Sequence, residues 1–253
     1  MGVFENKKAL IIGGSGGIGA AIAKKLALGG AELTIHGGHK SNKFDSLVDE
    51  LEKISQKSIK TIIYNFFPYT FDELSESNLL QEVKSADIIC ICFGPFLQKR
   101  LDVMTLSDWK SCSLLDYALP GLLVSSALPN MMQKRWGRIL VFGGTGTEHR
   151  KEFLTNAAYA GAKAGLGTLV QSVAACYADY GITCNALLPG FTKTEYTGAS
   201  DKILEKKMPL GTLISAESVA DAAFFLLSNP DLNGAMLRID RGWSPIKDIV
   251  IEN

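Results

Sequence analysis

Cysteine is scarce in this 253-residue chain and histidine scarcer, with five of the one and three of the other. Cys90, Cys92, Cys112, Cys176 and Cys184 form an odd set without framework spacing. That argues against a disulfide scaffold and for reduced thiols in the cytoplasm. Cys90 and Cys92 stand two apart in an apolar run, on one face of a buried strand, and no second ligand pair accompanies them, so no metal site is expected. Net charge is also lacking, because 26 basic residues cancel 26 acidic ones. A broad nucleic-acid footprint or a basic membrane patch is therefore not expected. Long apolar runs are missing as well. The longest are strand-length, well below the roughly 18 residues of a membrane span. The opening MGVFENKKALIIGG has neither the apolar core nor the small-residue cleavage site of a signal peptide. A cytoplasmic protein without nucleic-acid or membrane partners is the expectation.

What is present is a regular alternation. The chain is 47% hydrophobic, which suits one domain over residues 1–253. Strands are expected at 8–12, 32–36, 58–64, 87–93, 138–142, 182–188 and 235–239. Helices are expected at 17–28, 42–54, 74–84, 106–133, 156–179 and 216–227, with Pro120 and Pro129 bending or dividing the fourth. Nearly continuous apolar strands between helices indicate an α/β fold: a single doubly wound, Rossmann-type domain. Its mostly parallel sheet has about seven strands and helices on both faces. Ligands of such sheets bind beyond the C-terminal strand ends.

The first strand runs into Gly13-Gly14-Ser15-Gly16-Gly17-Ile18-Gly19, where two glycine patterns overlap. Gly14, Gly16 and Gly19 fit G-x-G-x-x-G; Gly13, Gly17 and Gly19 fit G-x-x-x-G-x-G. Glycines allow a tight turn and let a phosphate approach the backbone, while the helix start offers unpaired N–H groups and a positive dipole end. The strand–turn–helix context makes this a dinucleotide pyrophosphate site. An enzyme preferring NAD often carries a carboxylate about 20 residues later, on the ribose 2′-hydroxyl. None follows the second strand here; His39, Lys40, Ser41 and Lys43 stand there instead and could accept a 2′-phosphate. NADP(H) is therefore expected over NAD(H). The same residues also suit a solvated turn with Ser41 or Asn42 capping the next helix.

Tyr159 and Lys163 are four apart near the start of a long helix, on one face. Free tyrosine has a pKa of about 10. A fixed ammonium and an oxidised nicotinamide would lower it and let the phenol exchange a proton with substrate. The glycine turn about 140 residues earlier supplies the context that a lone Y-x-x-x-K lacks.

These motifs together resemble the short-chain dehydrogenase/reductase family over nearly the whole chain. Ile12-Gly13 through Gly19 is similar to its T-G-x-x-x-G-x-G, and Tyr159 to Lys163 matches its Y-x-x-x-K. Residues 185–194 look like its N-x-x-x-P-G-x-x-x-T segment beside the nicotinamide. Met208-Pro209-Leu210-Gly211 and Glu217-Ser218-Val219-Ala220 resemble the 3-oxoacyl-carrier-protein reductase branch, and Asp240-Arg241-Gly242 the terminal D-G-G. The resemblance implies that the dinucleotide is held by Gly13, Ser15, Gly17, Ile18 and Gly19. It adds His39, Lys40, Asn65 (where the family usually has Asp), Gly94, Tyr159, Lys163, Pro189, Gly190, Thr192 and Thr194. It also implies a homodimer or homotetramer.

The chain departs from the family at three places. N-N-A-G after the fourth strand becomes Ile91-Cys92-Phe93-Gly94. The relay Asn, seven residues after a Trp, corresponds to Asp116 after Trp109. The catalytic Ser falls within Phe142-Gly143-Gly144-Thr145-Gly146-Thr147, on Gly144 by direct alignment and on Gly146 or Thr147 counting back from Tyr159. Thr145, with Thr147 second, is the favoured substitute, since a hydroxyl there could bond a substrate carbonyl; both threonines could equally satisfy loop backbone. Asp116 would hold the relay water or face a polar neighbour. The expected function is an NADPH-dependent oxidoreductase acting on a small-molecule carbonyl or alcohol. The alternative is a catalytically impaired sensor or partner module. The substrate loop is placed at about 191–213; with the segment around Gly94 it supplies Phe93, Phe96, Leu97, Tyr196 and Met208, which suit an apolar lining or plain packing.

Overall fold

The computed structural model describes residues 2–67, 73–149, 152–153, 155–195 and 197–243. Strands and helices alternate through the first half: β1 (Lys8–Ile12), α1 (Gly17–Leu28), β2 (Glu32–Gly37), α2 (Asn42–Ser55), β3 (Lys60–Ile63), α3 (Asn78–Ser85) and β4 (Ile88–Ile91). The second half contains α4 (Leu106–Ser113), a π-helical turn (Leu114–Ala118), α5 (Leu119–Lys134), β5 (Gly137–Phe142), α6 (Ala157–Tyr177) and β6 (Ile182–Pro189). Then follow β7 (Thr192–Lys193), α7 (Asp201–Lys207), β8 (Ile214–Ser215), α8 (Ala216–Ser228) and β9 (Met236–Ile239).

Seven strands form one parallel sheet in the order β3-β2-β1-β4-β5-β6-β9. Alternate residues along each strand face opposite layers, and both layers are apolar. Ala9, Ile11, Ile35, Cys90, Leu140 and Leu187 pack into one core with residues of α1, α2 and α8. Leu10, Ile12, Ile89, Ile91, Val141 and Leu188 pack into the other with residues of α3, α5 and α6. This double coverage is why the strands read as unbroken apolar runs rather than as an alternation. The order in which successive strands are added reverses between β1 and β4, so the crevice of a doubly wound sheet opens there.

The long helical region does not divide at its prolines. Pro129 lies inside α5, and the irregularity is the π turn just before Pro120. Proline has no N–H for the carbonyl four residues back, which is that of Asp116, and the Leu119 N–H reaches back to the Leu114 carbonyl instead. The run Leu106–Lys134 is long and apolar enough to cross a membrane by length and composition, contrary to the expectation of strand-length runs only. Half of it is buried against the rest of the protein, as a core helix would be. The segment 191–213, expected as a loop, contains β7 and α7, and β7 pairs in parallel with β8 just beyond it, Thr192 meeting Ile214 and Lys193 meeting Ser215. The small residues of α6 serve internal packing in part: Gly165 lies against the Tyr117 ring and Gly167 against Met236, whereas Gly161 faces open space.

Candidate active site

The glycine turn leaves the C-terminal end of β1 with Gly13 at φ +72° and Gly17 at φ +51°, in the region that favours glycine. A Cβ on Gly19 would fall 2.2 Å from the Gly13 carbonyl oxygen, so only glycine lets α1 start this close to the strand. Ile18 packs onto the core, and Ser15 stands over Gly37 at the end of β2. A cradle without side chains at a helix start fits a dinucleotide pyrophosphate.

His36, which sequence reasoning passed over in favour of residues 39–43, fixes the turn. The Gly13 N–H donates to its Nδ1 at 3.1 Å, and the Gly14 N–H donates to its carbonyl at 2.9 Å. With Nδ1 accepting, Nε2 carries the proton and donates to the Tyr64 carbonyl at 2.8 Å. Burial pushes the His36 pKa down to about 4, so the ring is neutral. The available signal was a histidine ending an apolar strand, with both ring nitrogens needing partners.

His39 and Lys40 lie exposed beyond β2. Ser41 caps α2, accepting the Phe44 N–H at 3.2 Å. Lys43 does not stand free: its Nζ lies 2.7 Å from Glu195 Oε1. That carboxylate also accepts the Gly17 N–H, at 3.1 and 3.2 Å to its two oxygens. Glu195 was not anticipated.

Tyr159 and Lys163 share a face of α6 as expected, with Lys163 Nζ 5.7 Å from the Tyr159 ring centre. Lys163 is buried, and its nearest anion is Asp116, which comes from the π turn with no solvent exposure, Oδ1 3.1 Å from Nζ. Asp116 Oδ1 meets Lys163 as an ion pair, and its carboxylate has no other hydrogen-bonded partner. Burial raises the Asp116 pKa to about 6 against the pull of Lys163. Tyr159 is likewise pushed well above its usual value, by burial first and then by Asp116. The lowering of the phenol expected from Lys163 is thus not seen in this structure, where burial and then Asp116 favour the neutral phenol. Gly94 sits over the pair, where a Cβ would lie 2.4 Å from Asp116 Oδ1 and 2.9 Å from Lys163 Nζ.

The two candidate threonines lie in the loop after β5. The Thr145 hydroxyl donates to the Leu188 carbonyl at 3.4 Å, and the Thr147 hydroxyl to the Gly144 carbonyl at 2.7 Å, so both satisfy backbone. The position facing the tyrosine is Gly144, whose Cβ would stand 3.7 Å from the Tyr159 hydroxyl. Phe96 meets the Tyr159 ring edge-on at 5.1 Å, and Leu97 joins the same cluster. Phe93 packs on Phe66 at 4.9 Å, and Met208 is buried in the core with Leu213. Tyr196 lies outside the described residues.

Asn65 lies exposed beyond β3 and accepts the Phe67 N–H. Pro189 ends β6 beside Ile239. Gly190 presses on Asp240, leaving a Cβ 3.0 Å from that residue's own. Thr192 donates to the Gly190 carbonyl at 3.1 Å, and the Thr194 N–H donates to Thr197. Residues 92–94 join the two halves of the site. The Gly13 Cβ position is 3.1 Å from the Phe93 nitrogen, while Gly94 adjoins Lys163. Among the described residues no cluster of acidic, histidine or cysteine side chains is placed to hold a metal ion.

A family model described as short chain dehydrogenase matches residues 7–204. A 2-dehydro-3-deoxy-D-gluconate 5-dehydrogenase of Formosa agariphila is 29% identical, covering 94% of this chain and 92% of its own length. A 3-oxoacyl-[acyl-carrier-protein] reductase of Rickettsia felis is 31% identical, covering 93% and 99%. Among solved structures, a 3-oxoacyl (acyl-carrier-protein) reductase of Agrobacterium tumefaciens with NADP bound superimposes with a TM-score of 0.84. It is 24% identical and covers 96% of this chain and 95% of its own.

Proposed function

The chain belongs to the short-chain dehydrogenases, and on that premise we propose that this oxidoreductase uses NADP(H), with Tyr159 as general acid/base, to reduce a small-molecule carbonyl or oxidise the alcohol. The observation that carries the reading is the contact through residues 92–94. It brings Tyr159 and Lys163 to the same sheet edge as the glycine cradle. The cofactor, when bound, supplies or accepts a hydride.

The chain's own groups do the rest. Gly13, Ser15, Gly17, Ile18 and Gly19 would hold the pyrophosphate, Asn65 the adenine end, and Gly94, Pro189, Gly190, Thr192 and Thr194 the nicotinamide end. His39 and Lys40, with no carboxylate after β2, favour a 2′-phosphate over a bare ribose. Tyr159, kept protonated by burial, holds a proton ready for a carbonyl oxygen, and Lys163 would position the nicotinamide ribose. Asp116 sets how much of the Lys163 charge reaches the phenol. The carbonyl-binding role considered for Thr145 is not retained, because its hydroxyl serves Leu188. The substrates in the names of the relatives, a 3-oxoacyl thioester and a sugar-acid derivative, are the first to try. Five free cysteines suit a reducing compartment such as the cytoplasm. Exposed Leu106, Trp109 and Tyr117 on the α4 side suit a homo-oligomer.

The test is NADPH oxidation over a panel of 3-oxoacyl thioesters and small ketones. Tyr159→Phe should keep NADPH binding and lose turnover by a factor on the order of 100 or more; undiminished turnover refutes the assignment. A second reading, a dinucleotide-binding module that does not turn over, draws on Gly144 at the serine position and on the Asp116–Lys163 pair. Tight NADPH binding with no oxidation on any substrate would favour it.

A further inference from the structure

We propose that Glu195 is an internal anion that closes the N-terminus of α1, and that a dinucleotide must displace it, so that cofactor entry re-seats the segment carrying it. This rests on reading the glycine cradle as a pyrophosphate site.

Helix α1 has no cap of its own. Its N-cap is Gly16, which offers no side-chain hydrogen bond, and its first turn contains no acidic residue. The capping carboxylate arrives instead from 178 residues along the chain, with both oxygens on the Gly17 N–H. Lys43, in the first turn of α2, clamps the same carboxylate at 2.7 Å. One side chain thus ties α1 and α2 to the segment between β7 and α7. Its aim is set by a tight turn in which the Thr194 N–H donates to the Thr197 hydroxyl at 3.1 Å and that hydroxyl returns a bond to the Thr194 carbonyl at 3.0 Å. A cleft of about 500 Å³ opens beside it, lined in part by Ser15, Gly16, Lys43, Lys193 and Glu195.

Burial opposes ionisation of Glu195, but Lys43 and the Gly17 N–H outweigh it and hold the carboxyl below its ordinary value. The group is therefore an anion at neutral pH. Carboxylate and phosphate compete for one set of donors there, and a pyrophosphate brings more charge than a single carboxylate. A permanent cap would be a serine or aspartate at position 16. A cap on a distant segment can leave.

The test is calorimetric titration of wild type and Glu195→Gln with NADPH and, separately, with inorganic pyrophosphate, alongside amide hydrogen exchange without ligand. The glutamine variant should bind both about three- to tenfold tighter and exchange faster across residues 193–200, with a melting temperature lower by only about 2–4 °C, the scale of one lost cap. Equal or weaker binding of NADPH by the variant, or unchanged exchange, overturns the latch while leaving the cofactor reading intact. Failure of both proteins to bind either ligand overturns the two together.

Discussion

Asp116 is fully buried 3.1 Å from Lys163, and its pKa near 6 puts its titration within the working range of an enzyme. Above that pH the carboxylate holds the lysine charge and opposes phenolate at Tyr159; below it the neutral acid releases both effects. Cys112, buried on α4, also faces this group, and its thiol is pushed up to about 11, so it stays neutral. Carbonyl reduction should therefore speed up as pH falls through about 6. Asp116→Asn should flatten that limb and raise turnover at pH 7.5 by about tenfold, as neutralising a repulsive charge beside a general acid would. A pH–rate profile identical to that of wild type would contradict this. Gly144 offers a second single-residue test. A side chain there meets Thr147 and Tyr159 carbons at 3.4 Å, ordinary contact, with the Tyr159 hydroxyl just beyond. Gly144→Ser should fold normally and place a hydroxyl beside the phenol. A gain in kcat of about tenfold is expected, less than the roughly hundredfold or more of a fully aligned carbonyl donor; steady-state kinetics on the best panel substrate would measure it.

At the scale of the element, the junction of β1, β2 and α1 is held by a neutral histidine rather than by charge. His36 binds no proton in the folded state until pH falls to about 4, whereas the unfolded chain takes one up near 6.5. Between those values the unfolded state carries more protons, so stability falls as the solution is acidified, by roughly 3 kcal/mol in all. Asp116, raised to about 6, gives the opposite slope between about 3.8 and 6. The check is thus a difference: urea unfolding from pH 7 to 4 should show a shallower loss in His36→Asn than in wild type, although the variant is less stable at neutral pH. This junction also marks what the sequence could tell. The glycine turn, β1 and α1 were legible to the residue, because phosphate-binding backbone demands glycines at fixed offsets and parallel strands demand apolar runs. The His36 bonds were not, since they join residues 23 and 28 positions apart. The π turn was misplaced onto the prolines that follow it. The short β7–β8 pair has two residues in each strand, too few for any periodicity to register. Gly144 lost to Thr145 because side-chain chemistry favours a threonine, while direction along a loop is visible only in space.

For the whole molecule, the parallel sheet collects groups from four strand ends onto one edge: the cradle after β1, Gly94 after β4, Gly144 after β5 and Gly190 after β6. On the proposed reading, a 2′-phosphate would meet the exposed residues beyond β2. Lys40→Ala should weaken NADPH binding by about tenfold, the scale of one charge-assisted hydrogen bond, and leave NADH nearly unchanged; parallel titrations would decide it. Lys43→Ala is the poorer probe, because it also unclamps Glu195.

The strand order carries one more consequence, for the chain as it is made. β1 precedes both of its neighbours in the chain, yet it lies inside the sheet, with Ala9 paired to Leu33 on one side and to Ile88 on the other. Until β4 has been made that strand keeps a bare edge, and α1 lacks its partner α8 until residues 216–228 follow. Vectorial folding of this domain thus has little to hold on to before α8 arrives, and the incomplete sheet is exposed to aggregation until then.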